Sequence, residues 1–567
     1  MRNPLIAVAS VAALSACAQA PVHVEAPLPP PPMAVAEAAP PAAAPAPQIS
    51  RETLKSVTQT LSSDEFQGRA PTTAGEEKTI ALIADRFRRA GLQPGNNGSW
   101  YQDVPLVETS AEPTPLRITG GKQPLAFQWR KDMVANSYQV KPSISLANSD
   151  VVFIGYGINA PERGWNDYAG VDVKGKTVII LVNDPDYQIQ GTEGPFNGRA
   201  MTYYGRWTYK YEEAARQGAA AAFIVHDTEP ASYGWNVVQS SWTGPQYNMA
   251  AANDHMDQSK AIGWLTNDAA KRLFAAAGKD LDRMSAAAKQ PGFKAVPLGL
   301  KASISMKNEI KRQASKNVIG ILPGTARPDE YVIYTAHWDH LGICDADSTG
   351  DNICNGALDN ATGTAGLIAL AEANVRAGRP DRSIIFLAVT AEESGLLGSK
   401  YYGENPVYPL SQTVGGINMD GLNIIGDTRD LVVIGPGKSQ LEDYLKRYAA
   451  DLNLEVKGEP TPEAGYYYRS DHFSLAKFGV PMLYSDSGED LVNGGLAAGK
   501  AAAEDYRANR YHQPSDEYDP NWDWTGAVRD LAIYYRIGRE LADSNDWPNW
   551  YEGDEFRAIR DRSRAGQ

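Results

Sequence analysis

The sequence predicts an α/β fold, a three-layer α/β/α sandwich around a mixed, mostly parallel sheet. The first observation is a set of short apolar, β-branched runs, such as those at 331–336 and 384–389. Such runs are typical of strands buried on both faces. The second is that these runs alternate with segments of helical periodicity, which favours helices on both sides of the sheet. The third is that histidines and carboxylates directly follow several runs, where sites of open α/β sheets form.

The spacing of apolar residues, together with the glycines, prolines and capping residues at the ends of segments, predicts the individual elements. Two helices open the globular part, and strands and helices then alternate towards the C-terminus. The predicted helices cover 51–61, 74–90, 211–218, 364–377, 396–402, 440–452 and 525–541. The predicted strands cover 151–157, 176–182, 219–225, 317–322, 383–390, 432–435 and 481–485.

Composition limits the class of protein. With 567 residues the chain is long enough for two or more domains, and 43% hydrophobic with 22% charged residues is ordinary for a globular protein. The formal net charge is −14 and no basic patch is visible, which argues against a nucleic-acid partner. No apolar run beyond the N-terminus approaches the length of a membrane span.

The N-terminus predicts export. Arg2 and the apolar stretch 5–16 are typical of a signal peptide, predicted to cover 1–16. Residues 14–17 (LSAC) resemble the bacterial lipobox, which implies lipidation of Cys17 and an outer-membrane anchor facing the periplasm. Cleavage after Ala20, giving a soluble periplasmic or secreted protein, stays open. The Pro/Ala-rich segment 17–48 predicts an extended tether.

Five clusters carry candidate metal ligands. The residue types are imidazole and carboxylate, which Zn²⁺ accepts when no thiolate is offered. Their positions after apolar runs would bring several of them to one rim of the sheet. The candidate ligands are His337, Asp359, Glu393, Asp420 and His512; Asp339 and Glu392 belong to the same clusters.

These clusters, in this order, resemble metallopeptidase family 28, the co-catalytic dizinc exopeptidases that include bacterial zinc aminopeptidases. The resemblance covers most of residues 50–545. It implies two Zn²⁺ ions with Asp359 as the bridging ligand. His337 and Asp420 would complete one zinc site, and Glu393 and His512 the other.

The resemblance also implies the catalytic residues. Glu392 would be the general base, and Asp339 would accept the free ring N–H of His337 through its carboxylate. A tyrosine would donate to the developing oxyanion, which we assign to Tyr467, although the choice within 466–468 stays open. His340 and His472 are predicted to be structural.

The remaining sequence predicts the domain organisation. Residues 146–300, with the phrase at 165–176, resemble the protease-associated domain that is often inserted in these enzymes. The catalytic domain would then consist of 49–145 and 301–545, followed by a tail at 546–567. With Cys17 lipidated, Cys344 and Cys354 form an even pair in an oxidising compartment, which predicts a disulfide. Metal binding by these thiols is the alternative.

The predicted function is hydrolysis of N-terminal residues from peptides by a metal-bound hydroxide. A carboxypeptidase or dipeptidase of the same fold is the alternative, because Arg469 near the tyrosine cluster could receive a substrate carboxylate. A non-catalytic, receptor-like binding protein is a further alternative. Such a protein would be expected to have lost some of the metal ligands. The absence of a Gly-x-Ser-x-Gly motif argues against a serine hydrolase. Preferred terminal residue and oligomeric state are not predicted.

Overall fold

The computed structural model of the protein describes residues 48–191 and 193–565. The predicted signal peptide, Cys17 and most of the predicted tether lie outside the described residues. Within the described ranges, no helix combines the length and apolar character that crossing a membrane requires.

Helices connect the strands of the sheet and pack against it. Ser50 begins α1 by accepting the N–H of Thr53 at 3.1 Å, and Gly91 ends α2 with a φ of 101°. The helices are α1 (Arg51–Leu61), α2 (Ala74–Ala90), α3 (Trp207–Arg216), α4 (Thr228–Ala231), α5 (Trp235–Ser241), α6 (Asn267–Ala276), α7 (Leu281–Ala288), α8 (Gly363–Arg376), α9 (Leu397–Glu404), α10 (Leu441–Ala450), α11 (His472–Ala476), α12 (Gly495–Asn509), α13 (Thr525–Asp543) and α14 (Arg557–Arg564).

Most strands belong to one continuous sheet, and the pairs β7–β8 and β15–β16 stand apart from it. The strands are β1 (Gln93–Pro94), β2 (Tyr101–Pro113), β3 (Leu116–Thr119), β4 (Leu125–Phe127), β5 (Met133–Asn136), β6 (Ser143–Phe153), β7 (Asn159–Ala160), β8 (Trp165–Asn166), β9 (Thr177–Leu181), β10 (Ala221–Val225), β11 (Pro245–Met249), β12 (Ala261–Leu265), β13 (Val296–Leu322), β14 (Arg327–His337), β15 (Gly342–Ile343), β16 (Ile353–Cys354), β17 (Arg382–Val389), β18 (Thr413–Asn418), β19 (Asp430–Val433), β20 (Glu455–Gly458) and β21 (Met482–Ser487).

The central strands of the C-terminal half run in parallel. Strand β14 lies between β17 and β18, and β21 follows on the far side of β18, all four in the same direction. Antiparallel β13 covers the outer side of β17. Parallel strands finish at the same edge of a sheet, so the residues that follow β14, β17 and β18 meet there. The predicted α/β class with a mixed sheet is confirmed.

Two apolar layers enclose this sheet, one on each face. Val332 and Tyr334 of β14 pack into the cluster that includes α1, α2, α8 and α13. Tyr331 and Ile333, one residue out of phase, pack with Tyr402 of α9 on the opposite face. Full burial of an aliphatic side chain such as Val332 or Ile333 contributes about 1.5–3 kcal/mol, so both faces of β14 stabilise the strand that carries His337.

A second group of parallel strands lies in the segment between β5 and β13. Strands β6, β9, β10 and β12 pair in parallel, with apolar side chains packed on both faces. The antiparallel pairing of β2 with β13 extends from Tyr101 opposite Val318 to Pro113 opposite Met306. This ribbon joins the second group of strands to the central strands. The domain boundaries proposed from the sequence stay a prediction.

Several helices lie at or within one residue of their predicted starts. The structure has α1 and α2 at the predicted residues, and α8 begins one residue before its predicted start. The length of β13, 27 residues, was not predicted. Its middle part alternates between buried and exposed side chains with lysine and glutamate among them, so it lacks the apolar run by which the other strands were found.

Candidate metal centre

The candidate ligands lie at the carboxyl ends of three adjacent parallel strands. His337 is the last residue of β14, Glu392 and Glu393 follow β17, and Asp420 follows β18. Asp359 belongs to the irregular segment 357–362 that leads into α8. These residues are therefore brought together by strand direction and not by closeness in sequence.

Positive backbone angles shape the loops that present two of the ligands. Gly356, which precedes the Asp359 segment, has a φ of 54°, and a Cβ there would lie 2.5 Å from the ring of His340. His512 itself has a φ of 59° in the turn that follows α12. A glycine is thus required at 356 both for its conformation and for the close approach of the histidine ring.

Asp359 lies between two histidines. Its Oδ1 is 3.4 Å from Nε2 of His337, and its Oδ2 is 3.3 Å from Nε2 of His512. Asp420 Oδ1 lies 3.1 Å from Nε2 of His337, and Glu393 Oε2 lies 3.1 Å from Nε2 of His512. Asp359 therefore lies between two groups. One consists of His337 and Asp420, and the other of His512 and Glu393.

A third histidine approaches the second group. Nδ1 of His340 is 2.7 Å from Oε1 of Glu393, and its side chain is buried. Its ring meets that of His512 edge to face, with centroids 5.7 Å apart. His340, Asp359 and Glu393 offer ligand atoms that all lie within 4.8 Å of one another. The structure thus places His340, which the sequence suggested to be structural, beside the candidate ligands.

The carboxylates at this edge raise the pKa values of the histidines beside them. Burial alone would lower the pKa of His512, but Glu393 and Asp359 outweigh it and raise the pKa to about 10. Burial would likewise lower the pKa of His337, whereas the surrounding carboxylates, Asp420 first, raise it well above its usual value. The cluster therefore carries an excess of negative charge that attracts cations.

Comparison with known proteins identifies the segment that holds this edge. Residues 317–536 match the family model described as Peptidase family M28. This part of the chain belongs to peptidase family M28. The matched residues contain β14, β17, β18 and the candidate ligands, whereas α1, α2 and the segment between β2 and β12 lie outside the match.

Individual relatives of this M28 segment match over shorter stretches. Aminopeptidase NAALADL1 of Mus musculus is 36% identical over 139 residues, which are 23% of this chain and 17% of the relative. A glutamate carboxypeptidase 2 homolog of Caenorhabditis briggsae is 35% identical over 136 residues, 23% of this chain and 16% of the relative. The matched segments thus span about a sixth of the length of these relatives. Among solved structures, the aminopeptidase from Aneurinibacillus sp. strain AM-1 aligns at 19% identity and a TM-score of 0.49, covering 88% of this chain and 95% of that chain.

The donor set fits zinc. Nε2 of His512 is buried and makes no hydrogen bond of acceptable geometry, although carboxylate oxygens of Asp359 and Glu393 lie 3.3 and 3.1 Å away. An imidazole nitrogen and carboxylate oxygens that lie close together without hydrogen-bonding one another are well placed to bind the same cation. Imidazole and carboxylate are zinc ligands. Within the described residues, two groups have ligand atoms close enough to hold a metal ion. They are His337 with Glu392 and Asp420, and His340 with Asp359 and Glu393, and His512 lies beside the second group.

Asp339 contacts both His337 and the main chain of the Glu392–Glu393 pair. Nδ1 of His337 is 3.2 Å from the main-chain oxygen of Asp339 and 3.8 Å from its Oδ1, so the accepting atom is not the carboxylate that the sequence suggested. That carboxylate instead accepts the main-chain N–H groups of Glu392 at 3.1 Å and Glu393 at 3.4 Å. Burial raises the pKa of Asp339 to about 8. One residue thus orients a candidate ligand histidine and the Glu-Glu pair.

Glu392 and Glu393 point to different groups. Glu393 meets His512, whereas the Glu392 carboxylate lies within 4.8 Å of ligand atoms of His337 and Asp420. Burial raises the pKa of Glu392 well above its usual value, and Asp420 and Glu393 add to the effect. Adjacent side chains diverge here, as the sequence suggested for a base beside a ligand.

Tyr467 packs against His472 and Lys438. Its ring packs on His472 at 4.6 Å and lies under Nζ of Lys438 at 4.5 Å, and its hydroxyl is buried without a partner. Burial raises the pKa of Tyr484 well above the usual value, with Asp420 the next contribution. The ring contacts of Tyr467 involve none of the candidate ligands, so they give no support to its assignment as the oxyanion donor.

Two further features hold the Asp359 segment in place. Asp516 accepts the main-chain N–H of Leu358 at 3.0 Å and that of Asp359 at 3.1 Å, four residues after His512. Cys344 and Cys354 form a disulfide, and β15 and β16, which contain or adjoin them, pair with each other. The turn that carries one ligand thus also positions the predicted bridging ligand.

Arg69 is a positioning residue to which the sequence analysis assigned no role. It is fully buried, and its guanidinium donates to the carbonyl of Trp338 at 2.9 Å, of Asn355 at 2.5 Å and of Gly356 at 2.9 Å. Trp338 separates His337 from Asp339, and Gly356 opens the Asp359 segment. Arg69 therefore ties the backbones of two ligand-bearing segments together from outside the M28 match.

We expect Arg69→Lys to weaken zinc binding by about 10- to 100-fold, because an ammonium cannot span carbonyls on two segments as a guanidinium does. Zinc affinity would be measured by competition with a chromogenic chelator, alongside thermal unfolding. Arg379→Lys is the matched control, since Arg379 also bonds main-chain carbonyls, of Pro323 at 2.9 Å and Gly324 at 2.6 Å, but at an exposed position. Equal zinc affinities in both variants would contradict a positioning role.

Proposed function

We propose that the protein is a zinc-dependent exopeptidase that removes N-terminal residues from peptides and holds two zinc ions. The observation that carries the proposal is the position of Asp359, whose two oxygens face one histidine each at 3.4 and 3.3 Å. A carboxylate in this position can be shared by two cations that would otherwise repel each other. Asp420 and Glu393 then complete the two groups.

The chemistry divides between the metal pair and the protein. When bound, two zinc ions supply Lewis acidity, which polarises a peptide carbonyl and lowers the pKa of water to roughly 7. His337, Asp359 and Asp420 would hold one ion, and His512, Asp359 and Glu393 the other. His340 already contacts Glu393, so we assign it the orientation of that ligand.

Glu392 has the position of a general acid–base. It lies beside the first group, and the carboxylate of Asp339 holds its main-chain N–H. Burial, Asp420 and Glu393 all favour its protonated form, while His337 opposes them. A carboxylate beside the metal-binding groups could remove a proton from water and return it to the leaving amine.

Aminopeptidase action is favoured by the charge of the site. With the ligand carboxylates neutralised by metal ions, Glu392 is the carboxylate left to attract the positively charged α-amine of a substrate. One relative of the M28 segment bears the name of an aminopeptidase, which is consistent with this proposal. A carboxypeptidase is the second candidate, because another relative is named a glutamate carboxypeptidase homolog and Arg469 has a buried Nε without a hydrogen-bond partner.

Glu392→Gln is expected to keep two zinc ions and to lose about 10²- to 10⁴-fold in kcat, because the amide cannot transfer a proton. Turnover would be measured on a leucyl chromogenic substrate, with the zinc content determined on the same sample. A variant with near-native kcat and full zinc content would remove Glu392 from the mechanism.

A peptide panel tests the direction of cleavage. Each peptide would be offered to the zinc-loaded protein with a free or an acetylated N-terminus, and the products followed by mass spectrometry. We expect stepwise loss of residues from free N-termini only, because an acetylated amine has no positive charge to place among the carboxylates. Loss from C-termini regardless of acetylation would establish the carboxypeptidase. No cleavage of any peptide by protein that holds two zinc ions would contradict both forms of the proposal.

A further inference from the structure

The loop that carries Glu392 is held by one buried asparagine. Asn317 lies on β13, and its side chain is fully buried. Its Oδ1 accepts the main-chain N–H of Thr390 at 3.1 Å, and its Nδ2 donates to the main-chain carbonyl of Gly398 at 2.9 Å. Thr390 and Gly398 are the two ends of the segment that contains Glu392 and Glu393. A single side-chain amide therefore binds both ends of this loop.

The two ends of this loop also bond each other. The main-chain N–H of Gly398 donates to the carbonyl of Thr390 at 2.9 Å. The other polar groups of the same two residues, the N–H of Thr390 and the carbonyl of Gly398, bond the amide of Asn317. A Cβ at position 398 would lie 2.3 Å from the carbonyl oxygen of Thr390 and 2.5 Å from Oδ1 of Asn317, so this close approach requires glycine. The asparagine amide thus completes the main-chain pairing at the base of the loop, as a further peptide unit would.

The partners of Asn317 fix the orientation of its amide. A main-chain N–H can only donate and a carbonyl can only accept, so the amide oxygen must face Thr390 and the amide nitrogen Gly398. Nδ2 of Asn317 also donates to Oε1 of Gln102 at 3.0 Å, and Nε2 of Gln102 donates to the carbonyl of Asn405 at 2.8 Å. Gln102 lies directly opposite Asn317 in the pairing of β2 with β13. Both hydrogens of the Asn317 amide are therefore used by neighbouring segments of the chain.

Asn317 lies where the main-chain pairing of β13 with β17 ends. The last pair of this ladder is Val318 opposite Ala388, and β17 itself ends at Val389. The next residue, Thr390, is fully buried, and an unpaired buried N–H group is unfavourable. The Asn317 side chain supplies the acceptor that the strand no longer provides. The loop can therefore begin inside the protein without leaving a main-chain donor unpaired.

The residue between Thr390 and Glu392 has an unfavourable backbone conformation. Ala391 has a φ of 53°, in the left-handed region that alanine rarely adopts, and Leu396 in the same loop has a φ of 61°. Such conformations persist only where the surrounding structure holds them. Asn317 binds the residue immediately before Ala391. Its hydrogen bonds therefore fix the direction in which the chain leaves the strand towards Glu392.

We propose that Asn317 is a positioning residue for Glu392, which it holds in place for proton transfer through the backbone of Thr390 and Ala391. The inference rests on the proposed function and adds to it a residue that acts through the general acid–base. Asp339 accepts the N–H of Glu392 itself, so the N–H groups on both sides of Ala391 are held by side chains. A displacement of about 1 Å can cost a catalytic group about 100-fold in rate, so loss of the asparagine bonds lowers kcat.

Hydrogen exchange tests the contact without a substrate. In the zinc-loaded full chain, Asn317→Leu is expected to speed exchange of the amides in 389–398 by about tenfold or more, because the N–H of Thr390 loses its acceptor. Hydrogen–deuterium exchange mass spectrometry would measure this. Asn374→Leu is the matched control, because Asn374 is also fully buried but its Nδ2 donates to the carbonyl of Leu370 in its own helix, at 2.9 Å. The control should leave exchange of 389–398 unchanged, and an equally unchanged rate in Asn317→Leu would overturn the proposal.

A double-mutant cycle shows whether Asn317 acts through Glu392. Asn317→Leu is expected to lower kcat on the leucyl chromogenic substrate by about 10- to 100-fold while KM changes by less than about threefold. In the Glu392→Gln background the same substitution should change kcat by less than about threefold, because the group that Asn317 positions is already absent. Zinc content would be determined on every sample. An equal loss of kcat in both backgrounds, or a loss that matches missing zinc, would show that Asn317 supports only the fold or the metal centre.

Asn317→Asp is the second variant, to be used if thermal unfolding shows that leucine destabilises the chain. Its carboxylate keeps the shape of the amide and an acceptor for Thr390 but has no N–H for Gly398. It is expected to lose less kcat than Asn317→Leu and to show the same non-additivity with Glu392→Gln, and additive losses here would also overturn the proposal. Failure of the zinc-loaded wild type to cleave the substrate would reject the proposed function itself. The exchange rates of 389–398 would then still decide whether Asn317 holds this loop.

Discussion

The concentration of carboxylates at one buried sheet edge is the constraint on which the rest of the site depends. Asp359, Glu392, Glu393 and Asp420 lie there with two histidines whose pKa values they raise. Ionised groups packed in this way repel one another unless cations neutralise them. The fold supplies the position by parallel strands with a common carboxyl edge, and a pair of zinc ions would supply the missing charge.

Holding such groups together requires support from the backbone. Asp339 accepts the N–H groups of the Glu-Glu pair, Asp516 those of Leu358 and Asp359, and Arg69 binds carbonyls of both ligand-bearing segments. These contacts fix main-chain atoms, so they position each ligand without using its metal-binding oxygen or nitrogen. Arg69 and the carboxylates also compensate one another electrostatically.

The sequence predicted the parts of the site that leave a local pattern. His337 ends one buried strand and Asp420 lies two residues beyond the end of another, and the apolar runs of these strands are visible without a structure. Arg69 could not be found in this way, because its partners are carbonyl oxygens, which any residue provides. The sequence also named Tyr467 as oxyanion donor, but a run of three tyrosines does not reveal which hydroxyl faces the metal ligands.

The central claim is that Asp359 lets the chain hold two zinc ions. The most direct measurement is the zinc content of chelator-treated protein after titration with zinc and removal of free metal, determined by inductively coupled plasma mass spectrometry. The account predicts two zinc ions per chain for the wild type and no more than one for Asp359→Asn. A single zinc ion in fully active wild-type protein, or two in the Asp359→Asn variant, would contradict it.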